Sequence, residues 1–444
     1  MSVVAFIHDT DWEALPAAVR HQAPRCLLDT VGAAIAGRQT PLSRIAHDFA
    51  AAVFAGRGAR LWLDGREVSP PGAALAAGMT IDALDIHDGY NLTKGHAGAA
   101  AVPAALATLS LAGETVSGRE LLAALVVGYE IALRAGLALH ATACDYHTSG
   151  AWNALGSAAI TARRLGLDGA QTRHALGTAE YYGPRSPMMR CIDFPTMVKD
   201  GSGWGAMAGV SAALLARHGF SGAPAATVEA AETAHLWQDM GSRWRILEQY
   251  FKPYAVCRWA QPAIVAALAL RDEHGLAPED IARMRVFTFH EAVRLSVRRP
   301  QTTEEAQYSL PFPVAAALVY GRLGPAELGG AGLQDERVLA LAARIELVEV
   351  PAFNERFPAE RLARVEIETG DGAVFASAPL EPSWGQDDPP ADEILQEKFR
   401  WLAATSLPPE RAAALEEALW SCAQAPDAAA LPALLAQPAE ASAP

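Results

Sequence analysis

Apolar and small residues fill the first 250 positions in runs whose spacing suits helices rather than strands. Ala- and Leu-rich segments recur at 24–37, 41–55, 72–84, 98–112, 118–140, 149–165, 169–180 and 203–218, with short polar breaks between them. Several breaks carry start and stop chemistry. Ser117 precedes one helix with Glu120 three residues on, the pattern of a capping box. Gly166 and Gly219 stand where helices should end. Only Leu61–Val68 alternates like a short hairpin in this half, turning at Asp64-Gly65.

The pattern changes after about residue 260. Met284–His290, Ile345–Val350 and Arg364–Thr369 alternate as strands, and Gly370-Asp371-Gly372 turns the last of them into Ala373–Ala376. Helical segments are predicted at 261–274, 311–321 and 335–343, and again from Asp392 onward. The chain is therefore expected to be mainly α, with a large all-helical domain of residues 1–258 and 392–444 and a smaller α+β domain of residues 259–391.

Composition narrows the function. With 51% hydrophobic and 19% charged residues the chain is an ordered globular one. Its 36 basic and 50 acidic residues give a formal charge of −14, with no basic cluster for phosphates, which argues against nucleic-acid binding. Five scattered cysteines, Cys26, Cys144, Cys191, Cys257 and Cys422, without CxxC spacing, argue against a disulfide scaffold and a thiolate zinc site. The start, with Asp9, Asp11 and Glu13, lacks a signal-peptide pattern. No uninterrupted apolar run approaches the ~20 residues that span a membrane. A reducing, cytoplasmic setting without a membrane partner is expected.

Chemistry collects in five polar islands. Asp85 to His96 packs Asp85, His87, Asp88, Lys94 and His96 between two helix-like runs, and such titratable density is costly to bury without a purpose. Asp145 to Gly150 places His147 before a helix that Thr148 or Ser149 could cap. In Lys199 to Gly205 three glycines would let backbone amides approach a ligand, although the spacing is not that of a P-loop. Phe251 to Trp259 sets Lys252 and Arg258 among aromatics, which strengthens their pull on a carboxylate. Thr302 to Ser309 contributes Tyr308, a site phenol or a core residue.

Asp, His, Lys and Tyr without metal-ligand spacing or a nucleotide fingerprint suit one broad chemistry. A base removes a proton alpha to a carboxylate, cations hold the carboxylates and absorb the enolate-like charge, and an acid protonates a leaving group. Dehydration and epimerisation share the first half, and decarboxylation reaches a similar carbanion by losing carbon dioxide.

In these islands the chain resembles the MmgE/PrpD family over nearly its full length. The resemblance rests on Asp29-Thr30 with Gly37, Asp85-x-x-Asp88 with Gly95-His96, and His147 with Gly156. It continues through Thr196-Met197-x-Lys199, Lys252-x-x-x-x-Cys257 and Glu304-Glu305-Ala306-x-Tyr308-Ser309. The family implies a site between a helical and an α+β domain, no metal, no cofactor and a homodimer. Carried over by position, Asp85, His96, His147, Lys199 and Tyr308 are the implied catalytic residues, with Asp85 and His147 as acid/base candidates. Lys252, Arg258, Asp88 and His87 complete the expected substrate contacts. The expected activity is a 2-methylcitrate dehydratase-like lyase acting on a small di- or tricarboxylate. A decarboxylase, an epimerase using His147 and Lys199, and a non-catalytic carboxylate binder are the alternatives. The chain departs from the family at Gly89, at Asp200-Gly201-Ser202 and at Gln261, where members often carry a threonine and two histidines. These departures point to a related but different carboxylate.

Overall fold

Local capping chemistry starts several of the helices. The Ser117 hydroxyl accepts the Glu120 N–H at 3.2 Å and opens the helix Gly118–Thr142. The reciprocal half of the expected capping box is missing, because the Glu120 carboxylate is held by Arg163 at 2.7 and 2.9 Å. Asp168 and Gln171 do form a full capping box before Gly169–Tyr182. Gly166 and Gly219 adopt φ of +58° and +88° just past their helices, as expected of stop residues.

The structure, a computed structural model, describes residues 1–439. It is mainly α, with a large helical part and a smaller α+β part. The helices are those predicted, with shifted ends: Ala17–Gly37, Pro41–Val53, Pro70–Asp82, Gly98–Ala107, Gly118–Thr142, Gly150–Arg164, Gly169–Tyr182 and Ser202–Arg217. The first begins seven residues before the predicted start and runs through Pro24. The hairpin is shorter in its pairing and wider in its loop than expected, with only Ala59 opposite Val68 and Arg60 opposite Glu67.

Gly118–Thr142 is the axis of the helical part. Among the described residues it is the one helix long and apolar enough to cross a membrane, but 94% of its most apolar window is buried inside the protein. It also carries a fully buried Glu130–Arg134 ion pair, tied on by Arg134 to Asp239 at 2.9 Å and by Glu130 to the Ile246 N–H at 2.9 Å. Ser202–Arg217 crosses both Gly150–Arg164 and Pro70–Asp82 with almost no side chain between them. A Cβ on Gly205 would lie 2.4 Å from the Gly150 carbonyl, and one on Gly203 would lie 2.5 Å from the Leu75 carbonyl. Those glycines serve close helix packing, while Gly201 and Gly203 also line the open cleft beside Lys199.

The smaller part is a four-stranded sheet in the order Ile345–Glu349, Ile281–Thr288, Ala363–Thr369, Val374–Ala376. The first pair is parallel and the other two are antiparallel. Helices Gln261–His274 and Pro311–Tyr320 pack on it. A short ladder that the sequence pattern did not predict pairs Gly89-Tyr90 with Gln249-Tyr250 and ties the first polar island to the fourth.

The chain returns to the helical part at Asp392–Ala403, which packs on Ala17–Gly37. There the Lys398 ammonium donates to Asp29 Oδ1 at 2.5 Å and to the Ile86 carbonyl at 2.7 Å, all buried. Truncating one partner of such a pair strands the other charge. Lys398→Met is expected to destabilise the protein by about 3–5 kcal/mol in urea unfolding. Lys398→Met/Asp29→Leu, which removes both charges, should recover much of that loss.

Candidate active site

Three site residues hold left-handed backbone that side chains seldom adopt. Asp85, Lys94 and Lys199 have φ of +49°, +55° and +47°. Each costs about 1–2 kcal/mol, and such strain persists only where surrounding contacts hold it. At Asp85 the contact is Lys252. Its ammonium, fully buried, donates to Asp85 Oδ1 at 2.5 Å and to the Asp85 carbonyl at 2.8 Å. At Lys199 the ammonium bonds Gln307 Oε1 and lies 4.5 Å from the Tyr308 ring centre. Gln307 in turn donates to the Ala83 carbonyl at 2.9 Å, so the end of Pro70–Asp82, the start of Ser202–Arg217 and the Thr303–Gln307 helix meet at one place.

His96 sits between these cations. Its Nδ1 lies 2.5 Å from the Asp88 carbonyl, which accepts only from an N–H, so this nitrogen carries the proton. Nε2 faces Asp85 Oδ1 at 3.5 Å and Asp200 Oδ2 at 3.8 Å. Burial, then Lys252 and His87, push the ring well below the ordinary histidine range, so it is neutral with a bare Nε2. His87 lies behind it, ring centres 4.4 Å apart, and burial with Lys252 takes it down to about 3. Among the described residues neither His87 nitrogen makes a hydrogen bond, although Nε2 stands 3.3 Å from Asp82 Oδ1.

The carboxylates divide. Burial would raise Asp85, but Lys252, with His96 and Lys199 behind it, holds it well below the usual range. Asp82 and Asp200 are pushed up to about 7, Asp82 by burial and the Asp85 charge, Asp200 by burial and the charges of Asp82 and Asp85. Ser202 N–H donates to Asp82 at 3.1 Å and the Ser149 hydroxyl donates to Asp200 at 2.8 Å. Ser149 therefore serves Asp200, and its oxygen also accepts the His96 N–H at 3.0 Å instead of capping the helix that follows.

Asp85, His96, Asp200, Tyr250, Arg258, Tyr308, Lys94 and Arg361 line a small, partly open cavity of about 20 Å³. Lys199 and Asp82 line an open cleft beside it, together with Thr148, Arg190 and Trp204. Cleft and cavity meet at the Lys199–Asp200 corner.

The expected residues thus fall into three groups. Asp85, His96, Lys199, Lys252 and Tyr308 come together, with His87 directly behind. Asp88 faces away from the cavity: it accepts from the Tyr129 hydroxyl at 2.8 Å, and burial with the nearby Asp29 charge brings it to about 7. Arg258 lines the cavity, but its guanidinium binds main-chain carbonyls of Phe251 and Ser383 at 3.0 and 2.8 Å and stacks on Tyr250. His147 is not among the lining residues, and its N–H donates to His140 Nε2 at 3.1 Å. Asp200, Asp82, Lys94 and Arg361 were not expected. The first and third lay in islands already singled out, whereas Asp82 ends an apolar helix and Arg361 precedes a strand, with no local sign of chemistry.

Asp85, His87 and His96 each offer a ligand atom within 4.8 Å of the others, although their sequence spacing matches no metal motif. Lys252 already neutralises Asp85, so that donor set could close on a cation only if the ion pair opened.

The geometry is that of a buried acid–base site with cations on several sides. Family models for the MmgE/PrpD N-terminal domain and the MmgE/PrpD C-terminal domain match residues 2–240 and 254–423. The chain belongs to the MmgE/PrpD family. It is similar to the cis-aconitate decarboxylase-like protein oryM of Aspergillus oryzae, at 25% identity over 95% of this chain and 94% of that protein. It is also 25% identical to the cis-aconitate decarboxylase of Homo sapiens, over 91% of this chain and 88% of that protein. A 2-methylcitrate dehydratase of Cupriavidus necator is 30% identical, over 35% of this chain and 34% of that protein.

Raised carboxyls make stability depend on pH. Asp82 and Asp200 bind protons more tightly folded than unfolded, so their contribution is present at low pH and is lost as pH rises toward and through about 7. Asp200→Asn removes the second charge and leaves Asp82 less strained. Urea unfolding at pH 5 and pH 8 should show the wild type losing more stability across this interval than Asp200→Asn does.

Proposed function

We propose that this protein is a lyase acting on a small di- or tricarboxylate, and that it removes a proton alpha to a carboxylate to expel hydroxide. The observation that carries this reading is the neutral His96 with a bare Nε2, oriented by the Asp88 carbonyl and set among Lys252, Lys199 and the Asp200 carboxyl. Such an elimination needs a base in its unprotonated form and an acid that still holds its proton toward neutrality. In the proposed step Nε2 takes the alpha proton, and the electron pair moves into the carboxylate that the ammonium groups hold. The pair returns to form the alkene as the C–O bond breaks, and the Asp200 carboxyl gives its proton to the leaving hydroxide to make water.

Decarboxylation is the second reading, because the relatives that match over nearly the whole chain are named for it. It needs a proton donor to the carbanion but no base. The epimerase alternative relied on His147 and Lys199 as opposed bases, and His147 does not line the cavity. The reading also includes a homodimer, in which a second copy covers the exposed Phe194, Val198 and Trp204 at the mouth of the cleft. Light scattering that gave a monomer mass would overturn that part.

The deciding measurement is proton NMR in D2O with citrate, 2-methylcitrate, cis-aconitate, malate and iminodisuccinate. A new alkene signal without carbon dioxide release supports dehydration. Carbon dioxide release moves the reading to decarboxylation, and deuterium entering an alpha carbon without an alkene moves it to epimerisation. His96→Gln is expected to lower kcat about 10²–10⁴-fold with KM changed far less. An unchanged kcat would remove His96 as the base.

A further inference from the structure

Among the described residues three cations line the cavity without an ion pair: Arg258, whose guanidinium is held by main-chain carbonyls, Lys94 and Arg361. Lys94 sits in the tight loop between Tyr90 and Gly95, where the Tyr90 N–H bonds the Gly95 carbonyl and the Lys94 N–H bonds the Asn91 carbonyl. Its ammonium lies 4.4 Å from the Tyr146 ring centre, and among the described residues it makes no ion pair and no hydrogen bond. Arg361 is buried. Its two terminal nitrogens take the Pro358 and Asn91 carbonyls at 3.0 and 2.8 Å, and its Nε–H is buried with no acceptor. The Asn91 carbonyl therefore joins Lys94 and Arg361 through one loop.

A buried cation normally finds a counter-charge, because leaving water without one is costly. Asp85, the ionised carboxylate of the cavity, is already taken by Lys252. Glu291 acts on Lys94 from a distance but forms no salt bridge with it, and Arg361 repels it. Tyr146 and His140 face it from the remaining sides and supply no negative charge near neutrality. Across the cavity stand Asp85, His96, Asp200 and Tyr250.

We infer that Lys94 and Arg361 form an anion subsite that takes one carboxylate of the substrate, while Lys199 and Lys252 serve the carboxylate beside the reacting carbon. The inference rests on the reading of the site as one for small polycarboxylates, and it requires a substrate with at least two carboxylates held at separate points. Lys94 is the specificity-determining residue of the pair, since Arg361 also ties the loop to the segment that holds Pro358. A guanidinium and an ammonium around one carboxylate give charge-assisted hydrogen bonds stronger than neutral ones.

The test is isothermal titration calorimetry with propane-1,2,3-tricarboxylate, which has no hydroxyl or alkene to react. Lys94→Met should weaken binding about 10–100-fold, and Lys94→Arg should retain affinity within a few-fold. Lys94→Met gives up no hydrogen bond, so an unchanged thermal unfolding midpoint separates lost binding from lost fold. Burial and the Arg361 charge lower Lys94 to about 8. It is charged below that pH and neutral above it, so wild-type affinity should fall from pH 7 to pH 9, a range in which the ligand stays ionised. Lys94→Arg should show a smaller fall, the part that remains coming from Asp82 and Asp200, which ionise near 7 in both proteins. Wild-type affinity from Lys94→Met, or the same pH dependence in Lys94→Arg, overturns the subsite alone. No binding of the tricarboxylate by the wild type overturns the polycarboxylate reading, and the subsite with it.

Discussion

The buried ion pair between Lys252 and Asp85 sets the terms for every other group in the cavity. A lysine with no exposed surface is tolerable only beside a carboxylate, and here it also takes the main-chain carbonyl of the same residue. That second bond holds Asp85 in its left-handed backbone conformation. With Asp85 fixed as an anion, Asp82 and Asp200 cannot ionise cheaply beside it and hold their protons toward neutrality. With Lys252 fixed as a cation, His87 and His96 cannot charge and remain neutral. One pair of charges thus divides the remaining groups into an acid set and a base set.

Bringing these groups together takes helices that approach more closely than ordinary side chains allow. Gly203 and Gly205 let Ser202–Arg217 lie against the backbones of Pro70–Asp82 and Gly150–Arg164. The first approach gives Asp82 its hydrogen bond from Ser202. The second brings Ser149 to Asp200 and also to the His96 N–H. Lys398 adds a brace from the far end of the chain by holding the Ile86 carbonyl, one residue beyond Asp85. Packing and catalytic order are one arrangement here, because each contact that positions a carboxyl also joins two helices.

The net −14 charge of the chain and the cationic character of its cavity are reconciled by burial. Acidic residues in contact with water carry the overall charge. Inside, Asp82 and Asp200 hold protons toward neutrality, and Lys94, Arg361, Lys199 and Lys252 leave the interior positive. A local field of that sign would draw an anion even though the molecule as a whole is acidic.

The sequence by itself determined the mainly helical class, the order of the elements and the change of character near residue 260. Those depend on periodicity and on short-range start and stop residues. It also marked the loops that carry Asp85, His96, Lys199, Lys252 and Tyr308, because titratable groups crowded between apolar runs are conspicuous in one dimension. Only the tertiary structure decided what each group does. Asp88 and His87 share a segment with Asp85, yet one turns toward Tyr129 and the other lies behind His96. Arg258 spends its donors on carbonyls, Ser149 serves Asp200, and His147 stays off the cavity wall. Asp82 and Arg361 gave no local signal at all. Protonation and the absence of a counter-charge are set by burial and by neighbours as many as 270 residues away, such as Asn91 to Arg361. No local pattern in the chain encodes those distances.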